Sequence, residues 1–307
     1  MTKTLTVGVA ILTYNAAKLL EKSLPVLLAG ASDYRILIVD SSSKDGTEEI
    51  VRSHSIDLHV IPQSEFNHGT TRELARRLLG TDIAVMMTHD AIPVGPEVIS
   101  RLVAPLRAGE ADASYARQIP HDGAGFFEAF PRQFNYPDKS ELRSLQDIPR
   151  LGPRTFFCSN SCCAWLNAAL DEIGGFQPTL SLEDTITAAK LVQKGYRIAY
   201  CADAQVKHSH HYTLMDEFRR HFDIGYVRAM HRDLLFTAGG DEKRGVQMTG
   251  AMLAALWKTA PQNIPYAIAV VGAKFLGYKI GYYGHRLPRQ LKKHLSGQSY
   301  YWDRVPG

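Results

Sequence analysis

The sequence predicts an α/β protein, a Rossmann-like and mainly parallel sheet flanked by helices, with a helical extension at its C-terminal end. Three observations carry this expectation. In the first third of the chain, apolar runs of strand length alternate with amphipathic runs of helix length. The apolar runs stop abruptly at acidic or small polar residues, most plainly in Arg35-Ile-Leu-Ile-Val-Asp40-Ser-Ser-Ser-Lys-Asp45-Gly-Thr47. A length of 307 residues, 45% of them hydrophobic and 21% charged, accommodates one large α/β domain and a smaller appendage.

The elements follow in order. Residues 7–12 read as a strand, 16–29 as a helix, 35–39 as a second strand and 44–53 as a short helix. A third strand is expected at 58–61, a helix at 70–79 after His68-Gly69, and a fourth strand at 83–87 closing on Thr88-His89-Asp90. Strands separated by helices make a parallel sheet with right-handed crossovers. Beyond Pro96 a helix is expected near 97–106 and a strand near 113–117, whereas the polar, Pro-containing stretch 126–154 reads as a loop region or lid. A helix at 183–194, a strand at 196–201 and a long helix at 214–235 follow. Gly239-Gly240-Asp241 is the expected hinge, separating a domain at 1–236 from an extension at 237–307.

Composition narrows the function classes. The spacing of Cys158, Cys162, Cys163 and Cys201 fits neither a zinc pattern nor a secreted disulfide framework, and Met1-Thr-Lys-Thr-Leu5 runs straight into a strand, so a cytoplasmic protein is expected. Net charge is only +4, but from Lys274 onward seven Lys or Arg face the single Asp303. Basic residues gathered at the end rather than around stacking aromatics on a sheet, with the remaining chain nearly neutral, argue against a nucleic-acid partner. Residues 264–283 are apolar and aromatic but interrupted by Lys274 and Lys279, too broken to span a bilayer. This segment is expected either to lie in a membrane interface or to pack on its own domain with a solvated basic face.

Acidic residues stand at strand ends (Asp40, Asp45, Asp90) and at a helix start (Glu183-Asp184). Carboxyl ends of parallel strands share one edge of a sheet, so the first three acids are expected to converge there. Converging carboxylates require a cation, and a divalent metal bridging a diphosphate satisfies both sides. Capping of the helix dipole alone also explains acids in a first turn. In Val206-Lys-His208-Ser-His210-His211, strand alternation aims His208 and His210 at one face, and His208 is favoured as a metal or phosphate contact. Phe66-Asn-His-Gly-Thr-Thr-Arg72 opens a helix whose amides and Arg72 suit a phosphate, with Thr70 as a plain helix cap the alternative.

Taken in order, Ala10-Ile-Leu-Thr-Tyr-Asn15, Ile38-Val-Asp40-Ser-Ser-Ser-Lys-Asp-Gly-Thr47, Phe66 to Arg72, Thr88-His-Asp-Ala-Ile-Pro93, Glu183-Asp184 and Val206-Lys-His-Ser-His210 resemble family 2 glycosyltransferases of the GT-A fold, in particular bacterial rhamnosyltransferases. The resemblance covers roughly residues 5–230. It implies a nucleotide-sugar half at about 1–118 and an acceptor half at about 119–236. It implies a nucleotide-sugar donor, most specifically dTDP-L-rhamnose, bound by Thr13, Tyr14, Asn15, Asp40 (on the base), Ser42, Asp45, His68, Gly69, Arg72 and His89. Asp90 and His208 are the implied ligands of Mg²⁺ or Mn²⁺, and Arg72 or His208 would assist the departing diphosphate. Asp184, ahead of Glu183, is the implied base, and displacement assisted by one base inverts the anomeric carbon. Where many relatives carry Asp-x-Asp, Thr88 stands at the first position, leaving a single carboxylate. The implied acceptor is a glycan or lipid-linked glycan of cell-surface polysaccharide or lipopolysaccharide synthesis, reached at the cytoplasmic face of the inner membrane through peripheral contact by the basic tail. Another UDP-hexose or UDP-galactofuranose donor, and a non-catalytic nucleotide- or glycan-binding protein, are the alternatives.

Overall fold

The computed structural model describes residues 4–240 and 242–304. Among them, nine strands form one sheet: β1 (Val7–Thr13), β2 (Tyr34–Asp40), β3 (Asp57–Val60), β4 (Ile83–Thr88), β5 (Ile92–Pro93), β6 (Ala113–Ile119), β7 (Glu141–Arg143), β8 (Cys162–Leu166) and β9 (Ile198–Lys207). Their order is β3-β2-β1-β4-β8-β6-β9-β5, with β7 also paired to β9. The β3-β2-β1-β4 half is parallel, as expected. The other half is mixed, because β8 runs antiparallel to both β4 and β6 while β6 and β9 are parallel. β8, Cys162-Cys-Ala-Trp-Leu166, was not anticipated; almost wholly buried, it shows no period-two alternation.

Helices cover both faces: α1 (Ala17–Ala29), α2 (Thr47–Ser53), α3 (His68–Leu79), α4 (Val98–Arg107), α5 (Phe126–Asn135), α6 (Ile148–Leu151), α7 (Asn167–Glu172), α8 (Glu183–Gln193), α9 (Leu214–Met230) and α10 (Arg232–Leu235). Side chains of a strand alternate between faces. Val9 and Ile11 of β1 therefore join the core under α1 and α4, while Ala10 and Leu12 join the core under α3 and α8.

Three expectations are corrected. The stretch read as loop or lid holds α5, β7 and α6. Phe126, Phe130 and Phe134 of α5 stack at helical spacing, and Phe127 meets Tyr266 edge-on, so this helix owes its order to a distant partner. The long helix breaks at His231 into α9 and α10. The last strand runs on to Lys207 through a bulge, its pairing with β6 skipping from Cys201 to Gln205. Such bulges bend a strand and re-aim its end.

Of the expected hinge, Gly239 takes a left-handed turn (φ 87°), and Asp241 lies outside the described residues. The extension folds as α11 (Glu242–Thr259), α12 (Ile264–Tyr282) and α13 (Arg289–Leu295). It packs on its own domain. α12 lies against α9 so closely that a Cβ at Gly277 would fall 2.2 Å from the Phe218 carbonyl oxygen, and one at Gly281 2.0 Å from that of Phe222. Trp302, 2% exposed, completes the main core. No helix among the described residues is long and apolar enough to cross a membrane.

Candidate active site

β1, β2 and β4 end side by side, Thr13 in register with Asp40 and Leu12 with Thr88. Asp40 is buried beneath the loops that leave these ends: its Oδ1 accepts from Thr13 Oγ1 (2.7 Å) and Ser43 Oγ (2.6 Å), and its Oδ2 from Ser43 N (2.7 Å). Its carboxylate thus organises the loop from below. Asp45 is similarly committed, accepting from Ala17 N (3.0 Å) and Thr47 N (3.2 Å) at the starts of two helices. Asn15 and Ser42 sit in the left-handed region (φ 49° and 60°), which non-glycine residues hold mainly at tight turns and functional loops. Asn15 Oδ1 accepts from Lys44 N (3.0 Å), and Ser42 Oγ donates to the Ile61 carbonyl (2.9 Å). Tyr14 is exposed above them, and the His89 ring lies 3.2 Å from the Leu12 carbonyl.

A cavity of about 1310 Å³ opens beside this shelf. His68, Arg72, Asp90, Glu183, Asp184 and His208 line it; Thr13, Tyr14, Asn15, Asp40, Ser42, Asp45, Gly69 and His89 do not. A smaller cavity of about 330 Å³ beside Gly30 and Tyr34 holds none of these residues. The helix-start phosphate reading is also corrected. Asn67, not Thr70, caps α3, and its Oδ1 occupies the amides of Gly69 (3.0 Å) and Thr70 (3.2 Å). Gly69 is required by packing, since a Cβ there would fall 1.8 Å from the Gln177 carbonyl oxygen.

Asp90 follows the end of β4, and β9 delivers His208 and His210 opposite it. Asp90 Oδ2 is 3.4 Å from His208 Nε2 and 3.7 Å from His210 Nε2, and one ligand atom from each of the three residues lies within 4.8 Å of the others. The His208 Nδ1 faces Gln118 Oε1 at 2.9 Å, which turns Nε2 toward Asp90. Burial lowers the pKa of both rings, that of His210 to about 4 with His208 adding to the effect, so both imidazoles are neutral and can ligate. Burial opposes charge on Asp90, but His208, Thr88 and His210 together hold its carboxyl well below the usual range. One ionised carboxylate and two neutral imidazoles fit a divalent transition metal, Mn²⁺ better than the oxygen-seeking Mg²⁺.

The second cluster is the acidic pair. Leu182, left-handed at φ 59°, turns the chain into α8 so that Glu183 and Asp184 open the helix. Glu183 Oε1 meets Arg72 Nη1 at 3.0 Å and accepts from Asn160 Nδ2 at 3.2 Å. Burial raises the Glu183 pKa, but Arg72 and then His68 outweigh it, and the group stays ionised. Asp184 accepts from Thr185 N (2.6 Å) and Asn160 N (3.2 Å), yet burial and then the charge of Glu183 push its pKa up to about 7. The two neighbouring carboxylates thus have pKa values driven apart, Glu183 down and Asp184 up to about 7, the pattern of a candidate acid–base pair. Arg72, expected to assist the departing diphosphate, is tied to Glu183 and to the His68 carbonyl (2.9 Å).

The clusters meet through Asn160 and Ser161: Asn160 N reaches Asp184, and Ser161 Oγ lies 3.5 Å from His208 Nε2. Sequence reasoning missed Gln118, Asn160 and Ser161, which have no local signature, and it passed over His210 although the alternation with His208 was visible.

Similarity to known proteins accords with this geometry. The model for glycosyl transferase family 2 matches residues 8–174. The O-antigen chain rhamnosyltransferase RfbN of Salmonella typhimurium is 36% identical over 297 residues, 95% of each chain. The O-antigen chain rhamnosyltransferase WbaN of Salmonella anatum is 36% identical over 273 residues, 88% of this chain and 87% of that one. Among solved structures, the mannosyltransferase PcManGT of Pyrobaculum calidifontis, in complex with GDP-Man and Mn²⁺, shares the fold with a TM-score of 0.61 at 18% identity, covering 92% of this chain and 87% of its own. The chain belongs to glycosyltransferase family 2, and it is a glycosyltransferase with the GT-A fold.

Proposed function

We propose that this enzyme transfers L-rhamnose from dTDP-L-rhamnose, with inversion, to a hydroxyl of a lipid-linked O-antigen glycan. The observation that carries the reaction type is the meeting, in one cavity, of Asp184 with its raised pKa and the Asp90, His208 and His210 cluster. The sugar rests on the two 36% identical rhamnosyltransferases. The nucleotide lies on the shelf of Thr13, Tyr14, Asn15 and Ser42, with Asp40 and Asp45 holding the loops in shape. Ionised Asp184 accepts the acceptor hydroxyl's proton as that oxygen bonds to C1. The C1–O bond to the diphosphate breaks, and its electron pair leaves with the nucleoside diphosphate. A general base of this kind contributes roughly 10²–10⁴-fold. Asp90, His208 and His210 would hold a divalent cation, which supplies neutralisation of diphosphate charge.

The acceptor's lipid gives the outward faces of α11 and α12 a role. Trp257 (74% exposed), Ile268, Phe275 (59%) and Leu276 stand unpacked there, with Lys258, Lys279 and Arg286 also exposed. This is the composition of an interfacial surface for anionic lipid. The protein is expected to float with phosphatidylglycerol vesicles, and Trp257→Glu with Phe275→Glu to abolish flotation; unchanged flotation refutes the surface. The function itself is tested by a panel of dTDP-, UDP- and GDP-sugars, with and without Mn²⁺, followed by NMR of the product. Turnover of dTDP-L-rhamnose with an inverted anomeric centre is expected. Preference for a UDP-hexose overturns the sugar, and retained configuration overturns the single-base mechanism.

A further inference from the structure

Breaking the C1–O bond leaves a diphosphate whose charge must be met by cations. Arg72 is committed to Glu183. The other cations around the cavity are mostly committed too: Lys274 to Glu217 (3.2 Å) and Lys293 to Asp303 (2.8 Å), while Arg219 stands in the field of Asp216. Arg132 on α5 and Arg220 on α9 also line the cavity, and neither forms an ion pair among the described residues.

Their placement ties both to the metal-ligand cluster. Arg132 Nη1 donates to Gln118 Oε1 at 2.7 Å, the same oxygen that faces His208 Nδ1. The Arg220 guanidinium lies over the Tyr212 ring, 5.7 Å from its centroid, and Tyr212 packs against His210 at 5.1 Å. The two guanidiniums feel each other's charge and neither is ion-paired among the described residues, although the Asp90 carboxylate also acts on Arg132, so a bound anion would be stabilised between them. Burial is the main cause that lowers the proton affinity of Arg132, and Arg220 adds to it against the opposing effects of Tyr136, Tyr212 and Asp90. A guanidinium's planar fork of donors matches phosphate oxygens two at a time.

We propose that Arg132 and Arg220 form a clamp for the diphosphate of the nucleotide donor, the charge of Arg72 being already met by Glu183. This rests on the reading of the site as one for nucleoside diphosphates. The clamp holds the donor before reaction and meets the charge that develops as the C1–O bond breaks.

The test is calorimetric titration of the full chain with dTDP and with UDP, in EDTA and in Mn²⁺. Arg220→Ala, at an exposed position that tolerates truncation, is expected to weaken the better-binding nucleotide at least tenfold in both conditions. Arg132→Lys keeps the charge but loses the fork, and is expected to weaken it as well. Saturation-transfer NMR with thymidine, which has no phosphate, should be unchanged in both variants. If the wild type binds neither nucleotide, the donor reading fails and the clamp with it. If the wild type binds and both variants bind equally well, the clamp alone fails. Unchanged nucleotide binding with a raised KM for the acceptor would assign the two arginines to the acceptor instead.

Discussion

The loops at the ends of β1 and β2 and the wall built from the end of β4, α8 and β9 are equally rich in polar residues, but they use them in opposite ways. In the loops every strong acceptor is answered from within: Asp40 by Thr13 and Ser43, Asp45 by Ala17 and Thr47, Asn15 by Lys44. A satisfied network of this kind is stiff and has little left to offer a proton or metal. In the wall, Asp184 is burdened by its neighbour Glu183, and Asp90 faces two imidazoles. A carboxyl whose pKa is raised by burial and a like charge is a candidate for proton transfer. The loops form a frame, and the wall holds the groups on which the proposed chemistry rests.

The comparison breaks if substitutions in the two regions have similar consequences. The largest effect is expected from Asp184→Asn, which should lower kcat by roughly 10²–10⁴-fold with nucleotide affinity retained. The wild-type rate should rise with pH through about 7 as Asp184 loses its proton, and the residual rate of the variant should lack that limb. The same shift acts on stability. Because the folded pKa lies above the ordinary 3.8, protonation favours the folded state, a contribution present below that value and lost as pH rises through about 7. Melting curves above neutral pH should therefore find Asp184→Asn at least as stable as the wild type.

Glu183→Gln comes next. It strands a buried Arg72, and chemical denaturation should register a loss of roughly 3–5 kcal/mol. Removal of the Glu183 charge also lowers the Asp184 pKa, so the acid limb of the rate profile should move to lower pH; an unmoved limb would mean that burial alone sets it. The smallest effect is expected for Asp40→Asn, which leaves one buried hydrogen bond unanswered and costs about 1–3 kcal/mol of stability, with kcat per folded molecule nearly unchanged. A large kcat loss with unaltered stability would return Asp40 to the reacting side.

Much of the frame was legible because local patterns encode it. The alternation behind β1 to β4 and the acids at their ends follow from strand periodicity and turn chemistry. Glu183-Asp184 and the His208 to His210 run stood out for the same reason, adjacent groups of one chemistry at the ends of elements. β8 and α5 were not legible. A wholly buried strand shows no alternation, and the stacked phenylalanines of α5 are ordered by Tyr266 and the C-terminal helices, more than a hundred residues away.

The amino-acid order by itself determined the parallel half of the sheet, the family and the set of candidate acids and histidines, since each is written in neighbouring residues. Tertiary structure alone decided which of those groups face one another: that Asp40 points inward, that Arg72 is spent on Glu183, and that Gln118 aims His208. It also decided that Asp184 rather than Glu183 carries the raised pKa. The physical reason is that charge, burial and hydrogen-bond supply are set by neighbours in space, and in this fold those neighbours arrive from α3, β6, the Asn160 loop and β9.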